Sequence, residues 1–195
     1  MTPMYEAIDD PYCYPGTSVL KNRLDLRTQS ELDEFEAMIT TQRADEPLPV
    51  GQQDYDHYRA IHHHLFQDIF DWAGEIRTVR ITKGDNTFCY PENIDAQMYR
   101  LFGELAAAKQ LCGLNVEDFA AKAAHVMAEL NAIHPFREGN GRTQNVFLSI
   151  LAERAAHPLD FERLNPPDML QAMIASFGGN EEPLARLIRQ LMRIR

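Results

Sequence analysis

Cysteine is scarce: Cys13, Cys89 and Cys112 are the three in 195 residues, far apart and odd in number. They offer neither a metal-ligand spacing nor a disulfide framework, which points to a reducing compartment. No apolar run approaches the length of a membrane span. The first ten residues are acidic and lack the apolar stretch of a secretory leader, so a cytoplasmic location is expected. Basic residues are outnumbered, 19 Lys and Arg against 29 Asp and Glu, for a formal net charge of −10. Duplex-binding surfaces and anionic membranes both recruit clustered Lys and Arg. Direct nucleic-acid and membrane partners are therefore not expected. Repeats, low-complexity tracts and linkers are also missing.

What is present is ordinary globular material, 45% hydrophobic and 25% charged. The length suits one compact domain over residues 1–195, with an irregular arm at about 1–27 and a core at about 28–195. Charge is uneven, because twelve of the acids and only five of the bases lie in residues 1–60. Helical spacing predicts an acid-rich helix over about 30–44 and a second over about 52–72, the latter with Tyr58, Ile61, Leu65, Ile69 and Trp72 on one face. The period then shortens: Ile76 to Ile81 alternates, Lys83-Gly84-Asp85-Asn86 reads as a turn, and Thr87 to Tyr90 follows, a β-hairpin pattern. Helices are predicted at about 94–111, 116–133, 142–156, 167–176 and 183–194. The helix from 116 has Asn115 as N-cap, a stripe of Phe119, Ala123, Val126, Met127, Leu130 and Ile133, and Pro135 as its stop. The next carries Val146, Phe147, Ile150 and Leu151. The fold class is mainly α, a helical bundle with one short hairpin.

Between those two helices runs His134-Pro135-Phe136-Arg137-Glu138-Gly139-Asn140-Gly141-Arg142. It brings a base, a carboxylate, a glycine loop and an arginine to a helix N-terminus. Successive N–H groups there form an anion nest that the helix dipole reinforces. Gly139 and Gly141 permit unusual backbone angles and the close approach of a phosphate. Arg142 can meet phosphate oxygens bidentately. Glu138 beside such a nest implies a bridging divalent cation, Mg²⁺. His134 is placed to act as general base for a hydroxyl attacking the bound phosphate, and Phe136 reads as an apolar anchor.

The segment resembles the Fic family of nucleotidyltransferases, whose signature is H-x-F-x-[D/E]-G-N-G-R-x-x-R. The match is unbroken from His134 through Arg142. Upstream, Asp71-Trp72-Ala73-Gly74-Glu75-Ile76-Arg77 and Ile81-Thr82-Lys83-Gly84 resemble the family's approach to its flap hairpin. With Tyr14-Pro15-Gly16 included, the likeness covers about residues 10–155, as in the small stand-alone bacterial Fic toxins. It implies a Fic-type bundle that uses ATP with Mg²⁺ and moves AMP to a Tyr, Thr or Ser hydroxyl of a target protein. His134 would be the base and Glu138 the metal ligand. Gly139, Asn140 and Gly141 would hold the α- and β-phosphates, Arg142 the β- and γ-phosphates, with Arg137 and Asn145 in the same nucleotide set. The flap, through Arg80, Ile81, Thr82, Lys83, Gly84, Thr87 and Phe88, would dock the target segment edge to edge. Gly141 stands apart from the Doc-like branch, which has Lys at that place. The resemblance also implies a toxin restrained by a small antitoxin in trans, with gyrase B and topoisomerase IV as first candidate targets.

Asn145 stands where the signature has a second arginine, which exchanges a charge for an amide. Partial copies of the family's inhibitory pattern [S/T]-x-x-x-E-[G/N] occur at Thr2 to Ala7, Ser30 to Phe35 and Ser149 to Arg154, and each departs at its last position. Two further readings stay open: an enzyme using another nucleotide or removing AMP, and an impaired member that binds nucleotide or a partner. Consecutive helical positions diverge by about 100°, so His62-His63-His64 is not expected to hold a metal, and His57 and His64 read as core or surface residues. Cys89 and Cys112 read as buried, and Glu31 to Glu36 as a solvated face. Arg77, Arg80 and Lys83 either steer a ligand or line a solvated hairpin.

Overall fold

The computed structural model describes residues 10–83 and 86–193. More than half of these lie in helices: α1 (Gln29–Asp45), α2 (Tyr55–Phe66), α3 (Pro91–Ala107), α4 (Val116–Ile133), α5 (Asn140–Arg154), α6 (Pro166–Phe177) and α7 (Glu182–Leu191). Strands β1 (Thr82–Lys83) and β2 (Asn86–Thr87) pair antiparallel, with Thr82 opposite Thr87 and Lys83 opposite Asn86. A mainly helical fold with one small hairpin is thus what forms. Contacts group the chain into two units. One runs up to Asp95 and includes His134–Thr143; the other is Ala96–Ile133 with Gln144 onward.

In the first unit α1 packs on α2. The Thr28 hydroxyl oxygen caps α1 by accepting the Glu31 N–H, and the Asp54 carboxylate caps α2 by accepting the His57 N–H at 2.8 Å. The buried side of α1 is a single stripe of Leu32, Glu36 and Thr40, four residues apart. Glu31, Asp33 and Glu34 are exposed as expected, but Glu36 is buried. Apolar Tyr58, Ile61, Leu65, Phe66 and Ile69 fill the core beneath α2.

Two expectations fail in this unit, for one reason. Helix α2 ends at Phe66 and not near Trp72. Its own side chains capture the chain that would have prolonged it. His62 Nδ1 accepts the Gly74 N–H at 2.7 Å, and Arg59 donates to the Gly74 carbonyl at 3.0 Å. Gly74 itself turns at φ +82°, in the left-handed region that glycine tolerates. Likewise residues 76–81 run without a strand partner, so the hairpin is shorter than the alternation suggested. The Arg77 N–H bonds to the Pro135 carbonyl at 3.0 Å, so this backbone spends a donor on the motif loop. Arg77 is buried, and the solvated reading does not hold for it.

In the second unit Asn115 caps α4 by accepting the Asp118 N–H at 2.9 Å, and the expected stripe from Phe119 to Ile133 is buried. Helix α4 packs on α6 and α7. The inward stripe of α5 is Phe147, Leu148, Leu151 and Ala152, turned by about one residue from the predicted set. Helix α3 stops at Ala107, and left-handed angles at Lys109, Gln110 and Leu111 end it. The cysteines are free, with Cys112 exposed in that turn and Cys89 only half-buried, so neither is a core residue. Among the described residues no helix is long and apolar enough to cross a membrane.

Candidate active site

The loop between α4 and α5 lies wholly in the first unit. It leaves α4 by a sharp turn at His134, whose φ is +50°. Phe136 anchors it: the ring is fully buried, stacked on His62 at 3.8 Å and on Tyr58 at 5.6 Å between centroids. Asn140 closes it. Its side-chain carbonyl accepts the Phe136 N–H at 3.0 Å, and its amide donates to the Phe136 carbonyl at 2.8 Å. The Asn140 side chain is therefore committed to loop shape, which leaves its backbone N–H for a ligand. With Gly141 and Arg142, that N–H lies in the first turn of α5, where helical donors lack intrahelical acceptors.

The two glycines do different things. Gly139 has φ +80°, and a Cβ there would come closer than 3 Å to the Phe66 ring. Gly141 lacks the unusual backbone angle expected of it, because it already belongs to the first turn of α5. A Cβ on Gly141 would meet nothing within 4 Å. That open face at a helix N-terminus is where an anion can approach closely.

Arg142 and Glu138 are joined by a residue the sequence reading placed in solvent. Arg142 forms an ion pair with Glu36 of α1, lies 3.6 Å from a Glu138 carboxylate oxygen, and stacks its guanidinium 4.8 Å from the Phe66 centroid. Glu138 also accepts the Gly139 N–H at 2.8 Å. Burial, opposed by Arg142 and reinforced by Glu138, pushes the Glu36 carboxyl up to about 7. Carboxylates thus occupy the cation and the first loop donor that a phosphate would use. For Mg²⁺, Glu138 would offer one hard oxygen donor, and no cluster of three His, Cys, Asp or Glu suited to a metal occurs among the described residues. That donor set suits a cation bound mainly through nucleotide phosphates and water.

Arg137 is placed elsewhere. Its guanidinium pairs with Asp10 at 2.6 Å, both side chains being about 95% buried. This desolvated pair ties the N-terminal arm to the loop. Asn145 is half-buried on α5 in the second unit.

Of the flap residues, Ile81 and Phe88 turn inward, and the Phe88 N–H bonds to the Ile81 carbonyl at 3.2 Å. Phe88 stacks on the His134 ring at 3.9 Å between centroids and nearly parallel. Arg80 is exposed and lies over the Tyr90 ring at 4.4 Å, and Thr87 is exposed. Thr82 and Lys83 form β1, while Gly84 lies outside the described residues.

His62 is the second residue the sequence reading missed. Its Nδ1 is taken by the Gly74 N–H, so Nε2 carries the proton and donates to the Glu138 carbonyl at 3.0 Å. Full burial pushes its pKa down to about 3, which keeps it neutral. His57, His63 and His64 also bond main-chain carbonyls, those of Pro49, Ala73 and Arg43. The histidine run is a set of backbone staples, each ring directed to a different carbonyl. A signal for Glu36 was available, since it shares the i, i+4 stripe of Leu32. The same signal was available for His62, four residues after Tyr58 and three before Leu65.

A Fic/DOC family model matches residues 52–152, which span α2 through most of α5. The chain is 52% identical over 189 residues to Probable protein adenylyltransferase y4lH of Sinorhizobium fredii, covering 96% of this chain and 98% of that one. It is 38% identical over 165 residues to Probable protein adenylyltransferase Fic of Escherichia coli, covering 84% and 82%. Among solved structures, the ADP-bound N-terminal Fic domain of a Bartonella quintana effector matches with TM-score 0.85 and 32% identity, over 94% of this chain and 95% of that one. BepC of Bartonella tribocorum with bound AMPPNP matches with TM-score 0.84 and 29% identity, over 94% and 97%. The chain belongs to the Fic/DOC family. Its enzyme class is that of the Fic-type nucleotidyltransferases.

Proposed function

We propose that the protein transfers AMP from ATP to a Tyr, Thr or Ser hydroxyl of a target protein. The observation that carries this is the loop itself: His134, Glu138, Arg142 and the open first turn of α5 sit on one connection, pinned by Phe136, Asn140 and His62. Adenylyltransferase relatives and nucleotide-bound neighbours support ATP as the donor. The N–H groups of Gly139, Asn140 and Gly141 bind the α- and β-phosphates, and Arg142, released from Glu36, binds the β- and γ-phosphates. Glu138 would hold Mg²⁺, which when bound would supply charge neutralisation at the phosphates. His134 takes the proton of the target hydroxyl as its oxygen bonds to the α-phosphorus, and pyrophosphate leaves with the electron pair of the broken P–O bond. Phe88 holds the imidazole plane from the flap side. The flap docks the target strand edge to edge through the pairing of Thr82 and Thr87, with Arg80 exposed beside it.

The finer reading is a single Fic domain acting in the cytoplasm as a toxin, restrained by a separate small helical antitoxin. Gyrase B and topoisomerase IV are its first candidate targets; this rests on the resemblance to the small Fic toxins. Co-purification with a short protein encoded alongside tests the antitoxin. The transfer is tested by offering Mg²⁺, each α-labelled nucleotide, and gyrase B or a lysate. Label from ATP is expected on a protein band and is lost in His134→Ala. Label from another nucleotide alone, or tight ATP binding without transfer, overturns the proposal. Asn145→Arg, which restores the charge of the signature, is expected to raise the labelling rate about tenfold, since charged hydrogen bonds are about twice as strong as neutral ones. An equal or lower rate refutes that role for position 145.

A further inference from the structure

Arg77 is the bulkiest of the fully buried side chains, with 1% of its surface exposed. A guanidinium is buried there for a geometric reason. Its Nε donates to the His134 carbonyl at 2.7 Å, Nη1 to the Val79 carbonyl at 2.6 Å, and Nη2 to the Cys89 carbonyl at 2.6 Å. The Arg77 backbone N–H meets the next carbonyl of the loop, that of Pro135. Val79 precedes β1 and Cys89 follows β2, so one planar fork joins both legs of the flap to the residue expected to act as base. His134 is also the loop residue held at φ +50°, a conformation that disfavours side chains with a Cβ. The Arg77 bonds to carbonyls 134 and 135 hold that turn in place. Burial depresses the Arg77 pKa to about 10, which still leaves it charged at neutral pH.

We propose that Arg77 is a positioning residue for adenylyl transfer: its fork fixes the flap and His134 in one register, so that a hydroxyl docked on the flap meets the imidazole. This rests on the function proposed above. Arg77 touches neither nucleotide nor target in this scheme, so its loss acts on alignment alone. A lysine ammonium cannot reproduce a planar fork directed at three carbonyls. Misplacement of a reacting group by about 1 Å costs on the order of 10²-fold in rate.

The test compares the full-length protein with Arg77→Lys and Arg77→Ala. Arg77→Lys is expected to lower kcat for target labelling about 10²-fold, with the ATP dissociation constant unchanged. Low millimolar guanidinium ion is expected to restore part of the rate in Arg77→Ala and none in Arg77→Lys. Amide hydrogen exchange should rise together in 76–90 and 134–137 and stay unchanged in α2. Unchanged kcat, or loss of ATP binding in step with kcat, overturns the proposal. So does exchange that rises everywhere or nowhere. Should the wild-type protein transfer no AMP, the adenylyl-transfer reading falls by itself, and the paired exchange response then decides whether Arg77 couples flap to loop.

Discussion

Gly139→Ala is expected to destabilise the protein by about 3 kcal/mol, the sum of two separable effects. A Cβ at φ +80° carries left-handed strain of about 1–2 kcal/mol. The same Cβ would press into the Phe66 ring, and overpacking a core site costs typically about 1–3 kcal/mol. Phe66 cannot swing away freely, because it is fully buried and stacked on His62 at 4.7 Å between centroids. Denaturant melts of Gly139→Ala, Phe66→Leu and the double variant separate the terms. The smaller leucine side chain should recover the steric part and leave the backbone part, so the double variant should be more stable than the sum of the singles. Strict additivity would show that Phe66 does not set the requirement for glycine. Gly141→Ala, with nothing within 4 Å of its Cβ, should leave stability nearly unchanged.

Glu36→Gln should tighten ATP binding about tenfold at pH 8, equivalent to about 1.4 kcal/mol, and leave it almost unchanged at pH 6. In the wild-type protein the Glu36 carboxyl titrates at about 7, above its ordinary 4.5, because burial disfavours its charge more than Arg142 favours it. Above that pH the carboxylate holds Arg142 and would repel incoming phosphates; Glu138 and Asp33 nearby raise the Glu36 pKa further. As pH falls through about 7 it gains a proton, releases the guanidinium, and comes to resemble glutamine. Phosphate binding favours the protonated form, so wild-type affinity rises as pH falls while the variant lacks that component. Titration calorimetry from pH 6 to 8 measures the difference between the two proteins, in which the titration of the nucleotide itself cancels. Parallel curves would remove Glu36 from the control of Arg142.

Local signals were readable in the chain. The N-cap at Asn115, the stop at Pro135 and the stripe of α4 follow from side chains acting on their own backbone within a turn or two. Elements that depend on distant partners read less well. Ile69 and Trp72 continue the helical spacing of α2, yet the chain turns there because His62 accepts the Gly74 N–H and Arg59 donates to its carbonyl. Alternation at 76–81 left Arg77 either steering a ligand or lining a solvated hairpin, whereas the carbonyls of Val79, Cys89 and His134 draw it inward. In the site, the unbroken run from His134 to Arg142 was legible as a motif, and its family membership follows.

Scarcity of cysteine and the acid surplus set limits on class, and the motif set the family. Nine consecutive residues suffice for that, because a phosphate loop is built from groups adjacent along the chain. Which charges face that loop is a different matter. Glu36 on Arg142, Asp10 on Arg137, His62 on the Glu138 carbonyl and Arg77 on His134 each join residues more than fifty positions apart. Such pairs are chosen by burial: once desolvated, a charge or a polar ring must take whatever partner packing brings within reach. The chemistry belongs to the sequence, and its control by these partners belongs to the fold.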